Sequence, residues 1–314
     1  MRFAQYRSYG PPEVLEVSTA PDPMPAGEEI LLEIRAAGIN PFDVKQRAGV
    51  YASAPLSAPQ RSGFDGAGVI VGVGPDASGW SVGAAVLTSG ALGTMGTHLI
   101  VKSRNLVAVP AGVGFEQAAA IGVPVSTAYQ VLRSLRVGPG DVLLVHGGSG
   151  AVGQAAIQLA LAAGAAHVIA TGGERNLDRM SALGATAVEY GPGTLDRIRA
   201  AAGADGVTVV FDAAGTDDAF ASADLIPDRA RWATIVAGSR ADELGLTAFS
   251  GGSSVPLTKE QSALRRDGIV EGLRGLAAGT FDVELAEAYP LDRVADAHRA
   301  VEAHGTRGKV LVLP

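Results

Sequence analysis

The sequence predicts an α/β protein with a doubly wound parallel-sheet domain and a smaller, mostly β domain, and two observations carry this prediction. The first 110 residues are rich in turn formers, with short β-prone runs at residues 30–34 and 68–72 broken by Gly and Pro. From about Phe115 the chain alternates between helical stretches and short apolar strands. This alternation is typical of a parallel sheet covered by helices on both faces.

The elements expected after residue 110 follow from the position of each apolar run. They are helices near residues 115–121 and 127–135, and strands at residues 142–145, 167–170, 207–212 (VTVVFD) and 232–237 (WATIVA). Residues 238–254 form a connection rich in Gly and Ser, and a helix is expected at about residues 258–278. The chain ends in the strand-like KVLVLP, which we expect to fold back onto the N-terminal domain.

The most informative segment is DVLLVHGGSGAVGQAAIQLALAAG, residues 141–164, which combines an apolar strand, a glycine turn and a helix. Gly148, Gly150 and Gly153 satisfy G-x-G-x-x-G, and Gly147 begins the looser G-x-x-G-x-x-G. One glycine permits the tight turn, one lets a pyrophosphate approach the backbone, and one lets the helix pack on its strand. The helix N-terminus adds unpaired N–H groups and a partial positive charge. The residues that we assign to this dinucleotide-binding turn are Gly147, Gly148, Ser149, Gly150, Ala151, Val152 and Gly153.

Two further expectations concern this helix and its strand. We expect the buried stripe of the helix to consist of Val152, Ala156, Leu159 and Ala163. His146, which precedes the turn, is expected to be a buried, hydrogen-bonded neighbour of the sheet.

The second βα unit indicates which dinucleotide is bound. Its strand ends near Thr171, close to the spacing of about 20 residues at which an NAD-specific fold places an acid on the ribose 2′-hydroxyl. The loop TGGERN, residues 171–176, instead offers small residues and the guanidinium of Arg175, which could bind a 2′-phosphate bidentately. The alternative is that Arg175 is a solvated residue of the next helix, and Glu174 argues against a phosphate site. The sequence favours NADPH.

Composition limits the class of protein. A chain of 314 residues with 47% hydrophobic and 18% charged residues is long enough for two domains with sizeable cores. A net charge of −7 argues against nucleic acid or an anionic membrane as a partner. The N-terminus carries no apolar signal region and no apolar run reaches the length of a membrane span, so a cytoplasmic location is expected. The absence of cysteine excludes disulfides and thiolate metal sites.

Several motifs occur together in an order that resembles a known superfamily. They are AGINPFD (residues 37–43), GFDGAG (63–68), VSTAY (125–129), the glycine turn, FDAAG (211–215) and GKV (308–310). Over essentially its whole length, the chain resembles the zinc-free quinone oxidoreductase branch of the medium-chain dehydrogenase/reductase superfamily. The resemblance implies a GroES-like substrate domain from residues 1–122 and 256–314, a Rossmann NADP-binding domain from residues 123–255, and a cleft between them. The second boundary is expected between residues 250 and 280, and relatives commonly form homodimers.

The chain departs from the zinc alcohol dehydrogenase branch at the positions where that branch binds its catalytic metal. Asn40, Phe64 and Val123 stand where that branch has Cys, His and Cys, and none of them can replace a thiolate or an imidazole on zinc. The five histidines show no ligand spacing. Without a Lewis acid, polarising a simple ketone is difficult, so electrophilic acceptors such as quinones and α,β-unsaturated carbonyls are favoured, and no metal is expected.

The resemblance implies two catalytic candidates. Related enzymes carry a tyrosine at the position of Tyr51, at the mouth of the cleft, where its phenol could donate to a developing oxyanion or only wall the pocket. Asn40 could donate an N–H to the substrate oxygen or cap the local turn. Asp43 is expected to be structural, and Asp65 to hold its loop.

The remaining candidates concern the cofactor. Thr127 resembles the threonine that meets the nicotinamide end, with a helix N-cap as the alternative, and Tyr190 is expected beside the adenosine. The cofactor set is completed by Thr171, Gly172, Arg175 and Gly238.

The resemblance thus implies an NADPH-dependent oxidoreductase that transfers hydride to a quinone or a similar electrophilic carbonyl. Two alternatives stay open. An enoyl reductase for enoyl thioesters or alkenals shares the scaffold, but the chain shows no basic patch for a carrier or a coenzyme A phosphate. The other is a non-catalytic, NADPH-binding redox sensor.

Overall fold

The computed structural model describes residues 1–249, 255–303 and 307–314. The strands, in chain order, are β1 (Arg2–Tyr6), β2 (Glu16–Thr19), β3 (Glu29–Gly38), β4 (Gln60–Arg61), β5 (Asp65–Val73), β6 (Ala85–Ser89), β7 (His98–Lys102), β8 (Leu106–Ala108), β9 (Val142–His146), β10 (His167–Gly172), β11 (Thr186–Glu189), β12 (Val209–Asp212), β13 (Trp232–Thr234), β14 (Thr247–Ala248), β15 (Leu285–Pro290) and β16 (Lys309–Leu313). The α-helices are α1 (Pro41–Ala48), α2 (Phe115–Ser134), α3 (Ala151–Ala162), α4 (Leu177–Ala182), α5 (Thr194–Ala202), α6 (Asp217–Ala221), α7 (Gly238–Glu243), α8 (Lys259–Ala278) and α9 (Val294–Glu302).

The chain divides into two compact units. Residues Met1–Val123 and Ile269–Pro314 form one of them, which we call the composite unit because both ends of the chain contribute to it. Residues Pro124–Gly268 form the other, which we call the central unit. The chain changes unit inside α2 and again inside α8.

The composite unit is mostly β, as the sequence predicts. Its larger sheet has the order β15-β16-β3-β5-β6-β8 with β7 also paired to β3, and its smaller sheet has the order β2-β1-β4. Along β3, buried Ile30, Leu32 and Ile34 alternate with half-buried residues, which is the period of a strand with one face on a core. β16 pairs with β3, with Leu311 opposite Gly38, so the C-terminal strand does return to the N-terminal part of the chain.

The central unit is a Rossmann fold. Its six parallel strands have the order β11-β10-β9-β12-β13-β14, which is the doubly wound arrangement in which the strand order reverses beside the first strand. β9 is buried along its whole length, as a strand covered on both faces requires. β9 and β12 pair in parallel and end together at His146 and Asp212. The expected α/β class, with a GroES-like and a Rossmann-like part, is confirmed.

Three local expectations were wrong. The two helices predicted around residue 124 are one helix, α2, because buried Ile121, Val125 and Ala128 on both sides of Pro124 stabilise it despite the missing N–H. Part of the connection predicted at residues 238–254 is ordered as α7 and β14, and its residues 250–254 lie outside the described residues.

The third correction concerns the face of α3 that is buried. Apart from Ala156, the predicted stripe is only half-buried, and the buried residues with helical spacing are Gly153, Ala156, Ile157 and Ala160. The close approach of α3 to the glycine turn at Gly153 sets this rotation of the helix. Within the described ranges, no helix has both the length and the apolar composition needed to cross a membrane.

An ion pair holds together the amino-terminal edge of the central sheet. Arg231 donates from Nη1 and Nη2 to the two oxygens of Asp141 at 2.6 and 2.9 Å, and also donates to the Leu135 carbonyl. Thr208 and the N–H of Gly138 donate to the same carboxylate at 3.0 and 2.9 Å. Burial alone would raise the pKa of Asp141, but the hydrogen bonds from Arg231, Gly138 and Thr208 outweigh it and lower the pKa.

We expect Asp141→Asn to lower the free energy of unfolding by about 1.5–3 kcal/mol at neutral pH, because four charge-assisted hydrogen bonds lose their charged acceptor. The folded-state pKa of Asp141 is depressed, so its contribution is complete above an unfolded pKa of about 4 and is lost as the pH falls through the folded pKa. Urea denaturation of both proteins should therefore show a difference that shrinks below about pH 4.

The matched control is Asp196→Asn, which removes the carboxylate from the exposed Arg199–Asp196 pair of the same unit. That substitution should change stability little, since water screens both partners. Equal effects of the two substitutions would contradict the role given to Asp141.

Candidate active site

The glycine turn adopts the close-packed geometry that its sequence predicts. Gly147 has φ +77°, in the left-handed region, and the N–H of Gly148 donates to the Thr171 carbonyl at 2.9 Å. A Cβ on Gly153 would lie 2.2 Å from the Gly147 carbonyl oxygen, and one on Gly148 would lie 2.7 Å from the Cβ of Ala170. Side chains at these two positions would separate the turn from α3 and from β10.

The space above Gly150 differs from that at its neighbours. A Cβ there would meet only the Gly147 carbonyl oxygen, at 3.6 Å, and Gly150 is the N-cap of α3 without a side-chain cap. The first-turn N–H groups of this 12-residue helix have no carbonyl four residues earlier within the helix, and they lie at the positive end of its dipole. The open turn and the uncapped helix therefore fit a diphosphate. The N–H groups concerned belong to Ala151, Val152 and Gly153.

The loop after β10 lies beside this turn. Tyr190 donates its backbone N–H to the Gly172 carbonyl at 3.1 Å. A Cβ on Gly173 would lie 3.1 Å from the Tyr190 hydroxyl oxygen, and the Tyr190 side chain is 61% exposed. Arg175 is an exposed residue of a 3₁₀ turn that begins at Glu174. The structure thus brings together the glycine turn, Gly172 and Tyr190, with Arg175 on the same loop.

His146, the last residue of β9 before the glycine turn, contacts Thr171 near the end of β10. Its imidazole is 1% exposed, and its two ring nitrogens contact the hydroxyls of Thr171 at 3.2 Å and Ser222 at 3.1 Å. Burial lowers the pKa of His146 to about 4, although the carboxylates of Asp212 and Asp218 act in the opposite direction. His146 is therefore neutral at physiological pH, and the expectation of a buried, hydrogen-bonded residue is confirmed.

Thr127 and Gly238 lie on other elements of the central unit. Thr127 is buried in the second half of α2, which begins at Phe115, so the alternative of a helix N-cap is wrong. Gly238 is the buried first residue of α7. Among the described residues, no hydrogen bond joins Thr127 or Gly238 to the glycine turn, and their contact with the cofactor stays a prediction.

Asp212 is a buried carboxylate at the end of β12 that sequence reasoning did not assign to the site. Its Oδ1 accepts the N–H groups of Ala214 and Gly215, each at 2.8 Å, and its Oδ2 accepts the Thr234 hydroxyl at 2.7 Å. The carboxylate therefore fixes the loop beside the glycine turn. An acid directly followed by Ala-Ala-Gly at the end of an apolar strand is the signal that predicts such a cap.

In the composite unit, Asn40 belongs to a buried polar cluster. Its backbone N–H donates to Asp43 at 2.7 Å, which closes the start of α1. Its side-chain Nδ2 donates to Asp65 Oδ2 at 2.9 Å, and its Oδ1 accepts a hydrogen bond from Lys309. Burial raises the pKa of Asp43 to about 7. Asn40 is thus the N-cap residue of α1, its side-chain amide is bonded to Asp65 and Lys309, and its catalytic role stays a prediction.

Asp65 is the centre of this cluster. Its carboxylate accepts hydrogen bonds from Asn40, from the Ser89 hydroxyl at 2.7 Å, from the N–H of Val123 at 3.0 Å and from the ammonium of Lys309 at 3.2 Å. The expectation that Asp65 holds its loop is confirmed. Sequence reasoning missed Lys309, although a lysine at the start of the apolar strand KVLVL is a signal of a buried, paired charge.

Tyr51 lies in a cluster of aromatic rings. Its ring stacks on Phe42 at a centroid distance of 5.5 Å and an interplanar angle of 25°, and Phe64 meets Phe42 edge-on at 4.8 Å. Tyr51 is 48% exposed, and partial burial raises the pKa of its phenol above the ordinary value of about 10. The hydroxyl is therefore protonated at neutral pH and can donate a hydrogen bond.

Comparison with known proteins agrees with this architecture. Residues 26–111 match the alcohol dehydrogenase GroES-like domain, and residues 183–312 match the zinc-binding dehydrogenase family. The quinone oxidoreductase of Homo sapiens is 30% identical over 333 residues, which cover 100% of this chain and 98% of the human protein.

Two solved structures extend the comparison. The quinone oxidoreductase of Escherichia coli, solved in complex with NADPH, has a TM-score of 0.86 and 27% identity, with 100% of both chains covered. An NAD-dependent alcohol dehydrogenase has a TM-score of 0.84 and 29% identity, again with 100% of both chains covered. The chain belongs to the quinone oxidoreductase branch of the medium-chain dehydrogenase/reductase superfamily.

Proposed function

We propose that this protein is an NADPH-dependent oxidoreductase that transfers hydride to a quinone or a similarly electrophilic α,β-unsaturated carbonyl, without zinc. The observation that carries the proposal is the open glycine turn at the N-terminus of α3, beside a loop that has no acid at the end of β10 and carries Arg175 three residues after that end. The human relative named quinone oxidoreductase and the Escherichia coli relative solved with NADPH support it.

In the proposed division of labour, residues 123–255 hold the cofactor and residues 1–122 and 256–314 hold the acceptor. The central unit of the structure extends further, to Gly268. The N–H groups at the start of α3 bind the diphosphate, Arg175 binds the 2′-phosphate, and Tyr190 lies beside the adenosine. Thr127, Thr171, Gly172 and Gly238 complete the cofactor site. When bound, NADPH supplies the hydride, and the protein supplies orientation and electrostatic support.

We propose zinc independence because the three residues at the positions where the alcohol dehydrogenase branch binds zinc have other contacts in this chain. Asn40 is bonded through its side chain to Asp65 and Lys309, Phe64 packs on Phe42, and Val123 donates its backbone N–H to Asp65. None of these side chains is a thiolate, an imidazole or a carboxylate that binds zinc. Among the residues that the structure describes, no three His, Cys, Asp or Glu side chains come together as a metal site.

Tyr51 is one of the two proposed donors to the acceptor oxygen, and Asn40 is the other. The Tyr51 phenol stays protonated at neutral pH, and stacking on Phe42 restricts the ring.

We also propose a cytoplasmic homodimer, which light scattering and localisation would test. Oxidation of NADPH by a panel of quinones, enones and enoyl thioesters tests the function directly. Lack of turnover with every acceptor would favour the non-catalytic redox sensor.

Arg175→Ala should raise KM for NADPH about ten- to a hundredfold, because a charge-assisted interaction of roughly 1.5–3 kcal/mol with the 2′-phosphate is lost. KM for NADH should be unchanged. The control is Arg199→Ala, which removes an exposed arginine from α5 of the same unit and should affect neither cofactor. Equal losses with NADPH and NADH would refute the assignment of Arg175.

Prolonged treatment with a chelator should leave both activity and melting temperature unchanged, because Asn40, Phe64 and Val123 offer no zinc-binding donor set. Elemental analysis of the purified protein provides the second measurement. Stoichiometric zinc, with activity lost on its removal and restored on its return, would overturn the proposal of zinc independence.

Tyr51→Phe separates quinone reduction from enoyl reduction. A quinol oxyanion can take its proton from water, so kcat for 1,4-benzoquinone or a naphthoquinone should fall by less than about tenfold. Reduction of an enoyl thioester ends with a proton on carbon, where a positioned acid contributes about 10²–10⁴-fold. The control is Tyr9→Phe, which removes a phenol hydroxyl elsewhere in the composite unit.

Steady-state kinetics with both acceptor classes decide between the two reactions. Wild-type protein that reduces enoyl thioesters far faster than quinones, with most of that rate lost in Tyr51→Phe, would replace the quinone assignment by the enoyl reductase.

A further inference from the structure

Lys309 is a buried ammonium with two acceptors. Its side chain is 2% exposed, and its Nζ donates to Oδ1 of Asn40 and, at 3.2 Å, to Oδ2 of Asp65, which has no exposed surface. Lys309 begins β16, whereas Asn40 precedes α1 and Asp65 begins β5. One ammonium thus joins three segments that are far apart in the sequence.

Two glycines make room for this cluster. A Cβ on Gly38 would lie 2.6 Å from Cε of Lys309 and 2.4 Å from the Ala119 carbonyl oxygen. A Cβ on Gly122 would lie 2.1 Å from Oδ1 of Asp65. The lysine stem and the carboxylate therefore both occupy space that any other residue at these two positions would fill.

A buried ion pair is by itself weak evidence of a stabilising role. Desolvating an ammonium and a carboxylate is costly, and well-packed apolar side chains in place of a buried ion pair are often as stable. The polar groups also impose a fixed geometry on one another. This constraint acts on the side-chain amide of Asn40, which is bonded to both charged groups.

The cluster allows only one orientation of the Asn40 amide. Lysine can only donate, and the carboxylate of Asp65 can only accept, so the amide oxygen faces Lys309 and the amide nitrogen faces Asp65. Asp65 uses one of the two amide hydrogens, which leaves the second hydrogen pointing in a fixed direction. The positive charge at the amide oxygen also polarises the group and strengthens its N–H as a donor.

We propose that Lys309 is a positioning residue for hydride acceptance: by holding the Asn40 oxygen, it presents the second amide hydrogen of Asn40 to the acceptor carbonyl oxygen that gains negative charge. This inference rests on the proposed reduction of a quinone. Lys309 itself does not touch the acceptor and transfers no proton. Its effect on the reaction passes entirely through Asn40.

The test is a double-mutant cycle with Lys309→Met and Asn40→Ala, assayed with NADPH and a naphthoquinone. Loss of a preorganised donor to an oxyanion lowers kcat by about 10²–10³-fold, and we expect at least about tenfold for Lys309→Met. KM for NADPH should stay within about twofold of wild type. In the Asn40→Ala background, Lys309→Met should change kcat by less than about twofold, because the residue through which it acts is gone.

Two further variants keep the test decisive. Lys102→Met is the matched control, since Lys102 is an exposed lysine of β7 in the same unit, and kcat should be unchanged. Lys309→Gln retains an N–H donor without the charge, and replaces Lys309→Met if that variant does not fold by circular dichroism. Its kcat should be lower than that of wild type and higher than that of folded Lys309→Met.

Three results would overturn the proposal. They are losses of kcat that multiply in the double variant, wild-type kcat in a folded Lys309 variant, and failure of both Lys309 variants to fold, which would make the lysine purely structural. Wild-type protein that reduces no quinone contradicts the proposed function itself. Active wild-type protein that is insensitive to Lys309 contradicts only this inference.

Discussion

The buried carboxylate of Asp65 is the constraint on which the composite unit depends. A carboxylate without exposed surface is tolerated only when charges and hydrogen bonds replace its water. Its partners come from the segment before α1, the end of β6, the middle of α2 and the start of β16. The hydrogen bonds that replace the water around Asp65 therefore form only when β16 has paired with the N-terminal part of the chain. The position of β16 depends on this polar cluster as well as on apolar packing.

The glycines beside the Asp65 cluster and in the glycine turn are required for a related reason. At Gly38, Gly122 and Gly153, the atoms that would meet a Cβ are a carbonyl, a carboxylate or a lysine stem with its own fixed partner. Close approach of polar groups, rather than backbone freedom, is what these positions require. In the central unit this approach brings the start of α3 against the turn, and the N–H groups at that end form the proposed anion site.

The parts of the structure that the sequence predicts are those with local signals. The glycine turn and its flanking elements are defined within 24 residues, and their spacing alone predicts their roles. The Lys309–Asp65 pair spans 244 residues, so no local pattern connects its members. The predicted end of a strand can be wrong for a different reason. β13 stops at Thr234, short of the predicted residue 237, because the Thr234 hydroxyl accepts the N–H of Val236 and donates to Asp212.

The acidity of the chain bears on how an anionic cofactor is recognised. With a net charge of −7, the protein as a whole repels a dinucleotide phosphate. Salt screens that repulsion beyond about 8 Å, whereas N–H groups and a guanidinium act at hydrogen-bond distance. Recognition in the proposed complex is therefore a property of the turn and of one loop. The neutral state of His146 fits this logic, because its hydrogen bond to Thr171 holds the end of β10, where that loop begins, without placing a further charge there.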